Sequence, residues 1–178
     1  MQGIGYLPED RMKQGLVLDW DLIRNITLAS LRSFCKNGFM QPSKERDMAL
    51  SLADNLKVKA SNIYAKAATL SGGNQQKLIV AKLLTSKLKL IILDEPTKGV
   101  DVGAKTEIYR IMNQLAEEGY GIIMISSEMP EVLGMSDRIV VIREGRKSAE
   151  FETPNASQQA ILESAMTANG REAHAIAG

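Results

Sequence analysis

At 178 residues, with 44% hydrophobic and 24% charged side chains, the chain has the size and composition of a globular protein with one sizeable core. A net charge of +1 gives no electrostatic reason to expect nucleic acid or an anionic membrane surface as partner. The single cysteine, Cys35, excludes an internal disulfide and fits a reducing compartment, and no apolar run approaches the ~20 residues of a bilayer-spanning helix.

In chain order, residues 1–18 carry acids where a signal peptide needs a continuous apolar segment. Residues 4–7 read as a strand, placed almost at the first residue. Residues 10–15 (DRMKQG) read as a charged loop, with Arg11 and Lys13 as exposed charges. Asp19 or Asp21 is placed to cap a helix through Leu22, Ile26, Leu28 and Leu31, whose spacings lie near the helical period. Asn37 and Gly38 make a turn. Pro42 and Ser43 then start a second helix over roughly 44–56, with Met48, Leu52 and Leu56 as its apolar stripe.

Ser71 reads as the N-cap of a helix over 72–84 that offers Leu78, Val80, Ala81 and Leu84 for packing. Residues 90–93 have the length and β-branched content of a buried parallel strand. Asp101 caps a long helix from 102 to about 118, closed by Gly119. Residues 121–125 are a further buried strand, 130–133 a short helix and 139–142 a strand. Glu144 and Gly145 turn the chain into another strand near 147–151. A polar linker over 152–155 leads to a last helix over 157–166. The mobile tail 167–178 holds the sole histidine, His174, as a solvated side chain. Strands alternating with helices of this length call for an α/β fold built on a parallel sheet. Residues 16–84 form an inserted helical subdomain, and 85–151 the core.

Two stretches carry chemistry. Residues 91–96 (IILDEP) deliver Asp94 and Glu95 at the carboxyl end of a buried strand, the edge at which parallel sheets bind ligands. In nucleotide hydrolases of this architecture the first acid helps hold Mg²⁺ and the second orients or deprotonates the attacking water. A strand running into a solvated acidic turn gives the same short pattern, which does not decide between the two. Ser71, Gly72 and Gly73 open a helix whose free N–H groups and dipole favour a phosphate, and the glycines admit close backbone approach. A flexible loop with an N-cap accounts for that pattern equally well.

LSGGNQQK at 70–77, with LDEPTKGVD about twenty residues later, is far more specific. Spacing and wording resemble the ATP-binding cassette (ABC) ATPases. Residues 70–77 match the family's signature motif, 90–95 its Walker B strand and 97–101 its D-loop, and 126–128 stand where its switch histidine is expected. Together with YLPEDR and ISSEMPEVLGMSDRI, the wording resembles the second cassette of the double-cassette ATPases of bacterial ribose, galactose and xylose importers. That resemblance runs from Gly3 to about Met166. It implies a P-loop NTPase fold with a parallel sheet core, an inserted helical subdomain and a C-terminal β-hairpin. Residues 1–166 would be part of one ABC ATPase domain.

The departures are specific. No P-loop pattern, GxxxxGKS or GxxxxGKT, occurs in the chain, and truncation accounts for its absence better than divergence. Glu9 stands at the Q-loop glutamine and Asn74 at the last position of the usual LSGGQ. Ser127 stands at the switch histidine, where it cannot act as a cationic phosphate contact.

In the family, ATP is sandwiched between the Walker motifs of one cassette and the signature of another. The resemblance therefore implies ATP and Mg²⁺ as cofactors, with Ser71, Gly72, Gly73, Asn74 and Gln75 facing the nucleotide of a partner cassette. Glu9 and Asp101 would border the nucleotide, Asp94 would hold Mg²⁺, and Glu95 would be the catalytic acid of a site weakened by Ser127. It also implies transmembrane permease subunits, a periplasmic sugar-binding protein acting indirectly, and a cytoplasmic position on the inner face of the membrane. Residues 9–13 would face the permease in a secondary role. No nucleic-acid partner is implied. Alone, the chain is expected neither to bind ATP tightly nor to hydrolyse it. A non-catalytic regulatory remnant, and a soluble ABC ATPase outside transport, are the alternatives. The latter predicts a coiled-coil insertion or basic patches, and the sequence has neither.

Overall fold

The computed structural model describes residues 3–166, and the chain divides into two units, Met1–Ile125 and Ser126–Gly178. The residues 167–178 expected to form a tail lie outside the described residues.

The first unit is built on a parallel sheet in the order β1 (Ile4–Leu7), β4 (Leu90–Asp94), β5 (Gly121–Ile125). Tyr6 pairs with Ile92 and Ile92 with Ile123, so side chains two apart on each strand share a face. Leu7, Ile91 and Leu93 are fully buried beneath α3 (Gly72–Leu84) and α4 (Val102–Glu117). There Val80, Ile108 and Met112 close around the same small gap as Leu7 and Leu93. Ile4, Tyr6, Ile123 and Ile125, on the other side of the pleat, stand half exposed. The strand at 121–125 was expected to be buried; its limits agree, but Ile123 and Ile125 are each 48% accessible. Burial of a strand depends on what covers it, and on this face the described residues of the first unit leave Ile123 and Ile125 about half accessible.

The helical block begins with α1 (Leu22–Thr27), capped by Asp21, whose Oδ1 accepts the Arg24 N–H at 2.8 Å. Asp19, the other candidate cap, pairs with Lys66. The helix does not run on through Leu28 and Leu31. It tightens into a 3-10 segment, Leu28–Phe34, kinked at Ser30, which leaves both leucines exposed. Asn25 is wholly buried. Its carboxamide accepts from the Val17 N–H and donates to the Val17 and Asp21 carbonyls, tying the incoming chain to α1.

Two-residue strands β2 (Cys35–Lys36) and β3 (Phe39–Met40) flank the Asn37–Gly38 turn, where both residues have positive φ, as a type I′ hairpin turn requires. Next comes α2 (Pro42–Asn55), whose buried face is Ala49 and Ala53 with Leu56 beyond its end, while Met48 is exposed. Ala49 and Ala53 are buried one residue on from the expected Met48 and Leu52, while Leu56 is buried as expected.

The second unit contains α5 (Met129–Met135), the antiparallel hairpin β6 (Arg138–Arg143) and β7 (Arg146–Glu152), and α6 (Gln158–Met166). Its core is Ile139, Val141 and Ile161, with Phe151 and Leu133 packed against them. Glu144 and Gly145 turn the hairpin with φ of 51° and 75°.

Candidate functional site

Of the residues singled out from the sequence, Glu9, Asp94 and Glu95 follow the carboxyl ends of β1 and β4, residues 71–75 open α3, and Asp101 caps α4, while Ser127 lies in the second unit. From β4 the chain leaves through Asp94 and Glu95. Glu95 has φ 48°, a left-handed conformation that few side chains adopt. Its amide donates to the Ile125 carbonyl at 2.8 Å and its carbonyl accepts the Lys98 N–H at 3.1 Å, so pairing on both sides enforces the turn. Asp94 Oδ2 accepts the Tyr6 hydroxyl at 2.7 Å, and that bond raises the phenol above its ordinary range. Tyr6 opens the YLPEDR stretch, but motif matching gives it no role at the site. Pairing of Tyr6 with Ile92 places it on the same face as Asp94, one step along, so strand register is the signal that could have found it.

Ser71 occupies the N-cap of α3 with extended backbone (φ −62°, ψ 158°), but its side chain caps no amide of its own helix. Its hydroxyl oxygen instead accepts from Asn74 Nδ2 at 2.8 Å, and Asn74 Oδ1 accepts the Lys59 N–H at 2.8 Å. The first amides of α3 are thus left uncapped by Ser71, at the positive end of a helix dipole. Gly72 and Gly73 are required by packing as well as by any ligand. A Cβ on Gly72 would lie 2.9 Å from the Gly99 carbonyl oxygen, and one on Gly73 would lie 2.5 Å from the Ala104 Cβ. Gln75 is buried with both ends of its carboxamide engaged: Nε2 donates to the Ala67 carbonyl and Oε1 accepts from Arg11. Of the five signature residues expected to face nucleotide, Ser71 is exposed, while Asn74 and Gln75 act inside the chain.

Residues 10–15 are not an irregular loop. Asp10 caps a π-helical turn, Arg11–Gly15, by accepting the Lys13 N–H, a bond that lowers the Asp10 carboxyl below its ordinary range. Lys13 is exposed, as expected. Arg11 is not; it is half-buried and hydrogen-bonded to Gln75 and to the Lys98 and Gly99 carbonyls. Glu9 pairs with Lys98, and that hydrogen bond, with the charges of Glu9, Glu95 and Asp94, raises the Lys98 ammonium above its ordinary range. Asp101 caps α4 by accepting the Ala104 N–H at 2.9 Å. Behind the signature turn, Lys77 is 2% exposed and pairs with Glu107 of α4, whose carboxyl the bond holds below its ordinary range. The site therefore brings together Glu9, the signature turn and the 97–101 turn through Arg11, with Asp94 and Glu95 at the strand end.

Ser127 belongs to the second unit and is exposed. Its neighbour Ser126 accepts the Glu128 N–H at 3.0 Å and donates to Glu131, a carboxylate only 3% exposed at the start of α5. Sequence spacing gave no reason to single out Glu131.

Comparison with known proteins places these observations. The model of the ABC transporter family matches residues 2–98. The xylose import ATP-binding protein XylG of Geobacillus kaustophilus is 49% identical over 160 residues, 90% of this chain and 32% of its own length. The ribose import ATP-binding protein RbsA of the same organism is 48% identical over 167 residues, 94% of this chain and 34% of its own length. The chain thus spans about a third of the length of the curated relatives it matches.

Among solved structures, the ATP-binding cassette MJ0796 in a dimeric post-hydrolysis state, bound to ADP and Pi, aligns with a TM-score of 0.69 at 20% identity, covering 85% of this chain and 63% of that one. MJ1267, an ATP-binding cassette of an ABC transporter, aligns with a TM-score of 0.71 at 23% identity over 92% of this chain and 69% of that one. These structures speak for the fold, which is the α/β fold of ABC ATPases. With the family model covering more than half of its residues, the chain belongs to the ABC transporter family.

Proposed function

We propose that this chain is part of the ATP-binding subunit of an ABC transporter that imports a monosaccharide at the cost of ATP, and that it supplies residues 71–73 to an ATP held by a partner cassette. The observation that carries this reading is the state of Ser71. Its hydroxyl oxygen is occupied by Asn74 Nδ2, so the hydroxyl hydrogen and the leading amides of α3 are left to point at an anion. The relatives named for xylose and ribose import support the transport assignment. Permease subunits, an indirectly acting sugar-binding protein and a peripheral position at the cytoplasmic face of the membrane follow from that assignment.

The residues fit the nucleotide. A phosphate at α3 meets preorganised donors, which bind best where negative charge develops. At the end of β4, Tyr6 fixes Asp94 and the left-handed turn fixes Glu95. Asp94 would be one ligand of Mg²⁺, whose usual chemistry is to neutralise phosphate charge. Among the described residues no group of three His, Cys, Asp or Glu side chains is placed to hold a metal, so phosphate and water would complete its shell. Glu95 would orient the attacking water. The 178 residues hold no P-loop pattern, so this second site is expected to turn over little ATP when the chain is alone.

Mixing the chain with a cassette that carries a P-loop, and measuring ATP turnover, tests the reading. The chain should stimulate the partner, and Ser71→Ala should lower that stimulation about 100- to 1,000-fold, as loss of one transition-state donor does. Stimulation unaffected by Ser71→Ala would overturn it, as would robust turnover by the chain alone that Glu95→Gln abolishes.

A further inference from the structure

One guanidinium joins three elements that are distant in sequence. Arg11 Nε donates to Gln75 Oε1 at 3.2 Å, Nη1 to the Lys98 carbonyl at 2.8 Å, and Nη2 to the Gly99 carbonyl at 3.4 Å. Gln75 passes the connection on to the Ala67 carbonyl, just before the signature turn. The fit leaves no slack: a Cβ on Gly72 would lie 2.7 Å from Arg11 Nη2. Two further contacts hold the Arg11 turn from either side. Glu9 pairs with Lys98, and Lys82 of α3 donates to the Gly15 carbonyl; burial there lowers the Lys82 ammonium below its ordinary range.

Only a planar fork with divergent donors serves acceptors in these directions at once. A lysine ammonium is a single point on a flexible stem. The acceptors at 98 and 99 are main-chain carbonyls in a turn set by the positive φ of Glu95 and Gly99. That turn begins at the strand end that carries the two acids.

We propose that Arg11 is a positioning residue that locks the 97–101 turn to the signature turn at 71–73, so that both are presented to the partner cassette in one fixed register. This rests on the reading above, in which the chain offers its signature turn to a partner. Displacing the Arg11 turn would then move both segments together, a mechanical link from the loop after β1 to the surfaces that meet the partner.

Hydrogen–deuterium exchange on the whole chain tests the lock, with Arg11→Ala, Arg11→Gln and Arg11→Lys compared with the parent. Turnover of an added P-loop-bearing cassette is measured in parallel. Loss of the lock should speed exchange about tenfold or more at the hydrogen-bonded amides of residues 75–77 and 98–105 and leave the β6–β7 hairpin unchanged, with Arg11→Lys restoring neither segment fully. Stimulation of the partner should fall about tenfold in step, at unchanged thermal midpoint for Arg11→Lys. Exchange that rises evenly over the chain would reduce Arg11 to a general stabiliser and overturn the proposal. So would Arg11→Lys matching the parent in exchange and turnover, or full stimulation by a variant whose two turns have loosened. If the parent chain fails to stimulate the partner while the two turns loosen as expected, the assignment to a shared nucleotide site falls and the lock itself stands.

Discussion

Glu95 combines a strained backbone with the carboxylate proposed to orient the attacking water. A non-glycine residue at φ 48° costs about 1–3 kcal/mol and persists only where neighbours over-determine it. Here the Ile125 carbonyl and the Lys98 amide hold it from both sides. Glycine adopts this conformation freely but gains entropy in the unfolded chain, which offsets part of the relief. Glu95→Gly should therefore stabilise the chain by about 0.5–1 kcal/mol in urea unfolding. Glu95→Gln keeps the backbone demand and should fall within about 0.5 kcal/mol of the parent. Should Glu95→Gly prove neutral or destabilising, the turn is not strained in the sense argued. The stabilised glycine variant would also lack the carboxylate proposed to orient the attacking water.

The pair α3 and α4 shows how an element is fixed by its smallest residues. Gly73 meets Ala104, and one turn further along both helices Lys77 meets Glu107, so the two helices run side by side from the signature turn onward. Gly73→Ala would bring two Cβ atoms to 2.5 Å and should cost about 1–3 kcal/mol in chemical denaturation. Ala104→Gly alone should cost about 0.5–1 kcal/mol through helix propensity. The double variant should regain at least about 1 kcal/mol relative to the sum, because the second change vacates the space the first one needs. Simple additivity would show that the close approach is not what demands glycine at 73. At this scale most boundaries were legible in the sequence: Asp101, Gly119 and the Glu144–Gly145 pair mark their element ends by local chemistry, and α3 spans the residues expected of it although the Ser71 side chain makes no cap bond. The site was legible only in part. Ser71, Asp94 and Glu95 carry recognisable wording, whereas Arg11 binds main-chain carbonyls some eighty-seven positions away, and a carbonyl has no sequence identity to read. The stripe of α2 shifted because alanine weighs little in a hydrophobic pattern yet packs closest. The strands β2 and β3 are too short to show a period.

For the whole molecule, the consequential feature is the apolar face that the sheet leaves open. Ile4, Tyr6, Ile123 and Ile125 lie on it, each 48–51% accessible, and a concavity of about 460 Å³ opens beside β1 along Ile4, Tyr6, Ala29 and Leu88. The composition hides this, since a net charge of +1 and 44% hydrophobic residues describe an ordinary globular chain. Composition counts apolar side chains without saying which of them the fold covers. Contiguous exposed apolar surface favours association, and the window GIIMI at 121–125 is uncharged, β-prone and, among the described residues, paired only with β4. A net charge near zero adds little repulsion between copies. Sedimentation at rising concentration should therefore show the isolated chain associating reversibly in the micromolar range. Ile123→Lys should shift that association upward in concentration by about tenfold or more, a loss of about 1.4 kcal/mol per contact. Because Ile123 is half exposed already, the same substitution should change unfolding free energy by no more than about 1 kcal/mol. Ile91→Lys is the contrasting case, since Ile91 is fully buried on the opposite face, and that variant should fail to fold. If Ile123→Lys unfolds the chain as Ile91→Lys does, the face is not open. If it folds and associates as the parent does, the face is open but does not drive association, and the uncovered edge of β5 becomes the surface to block.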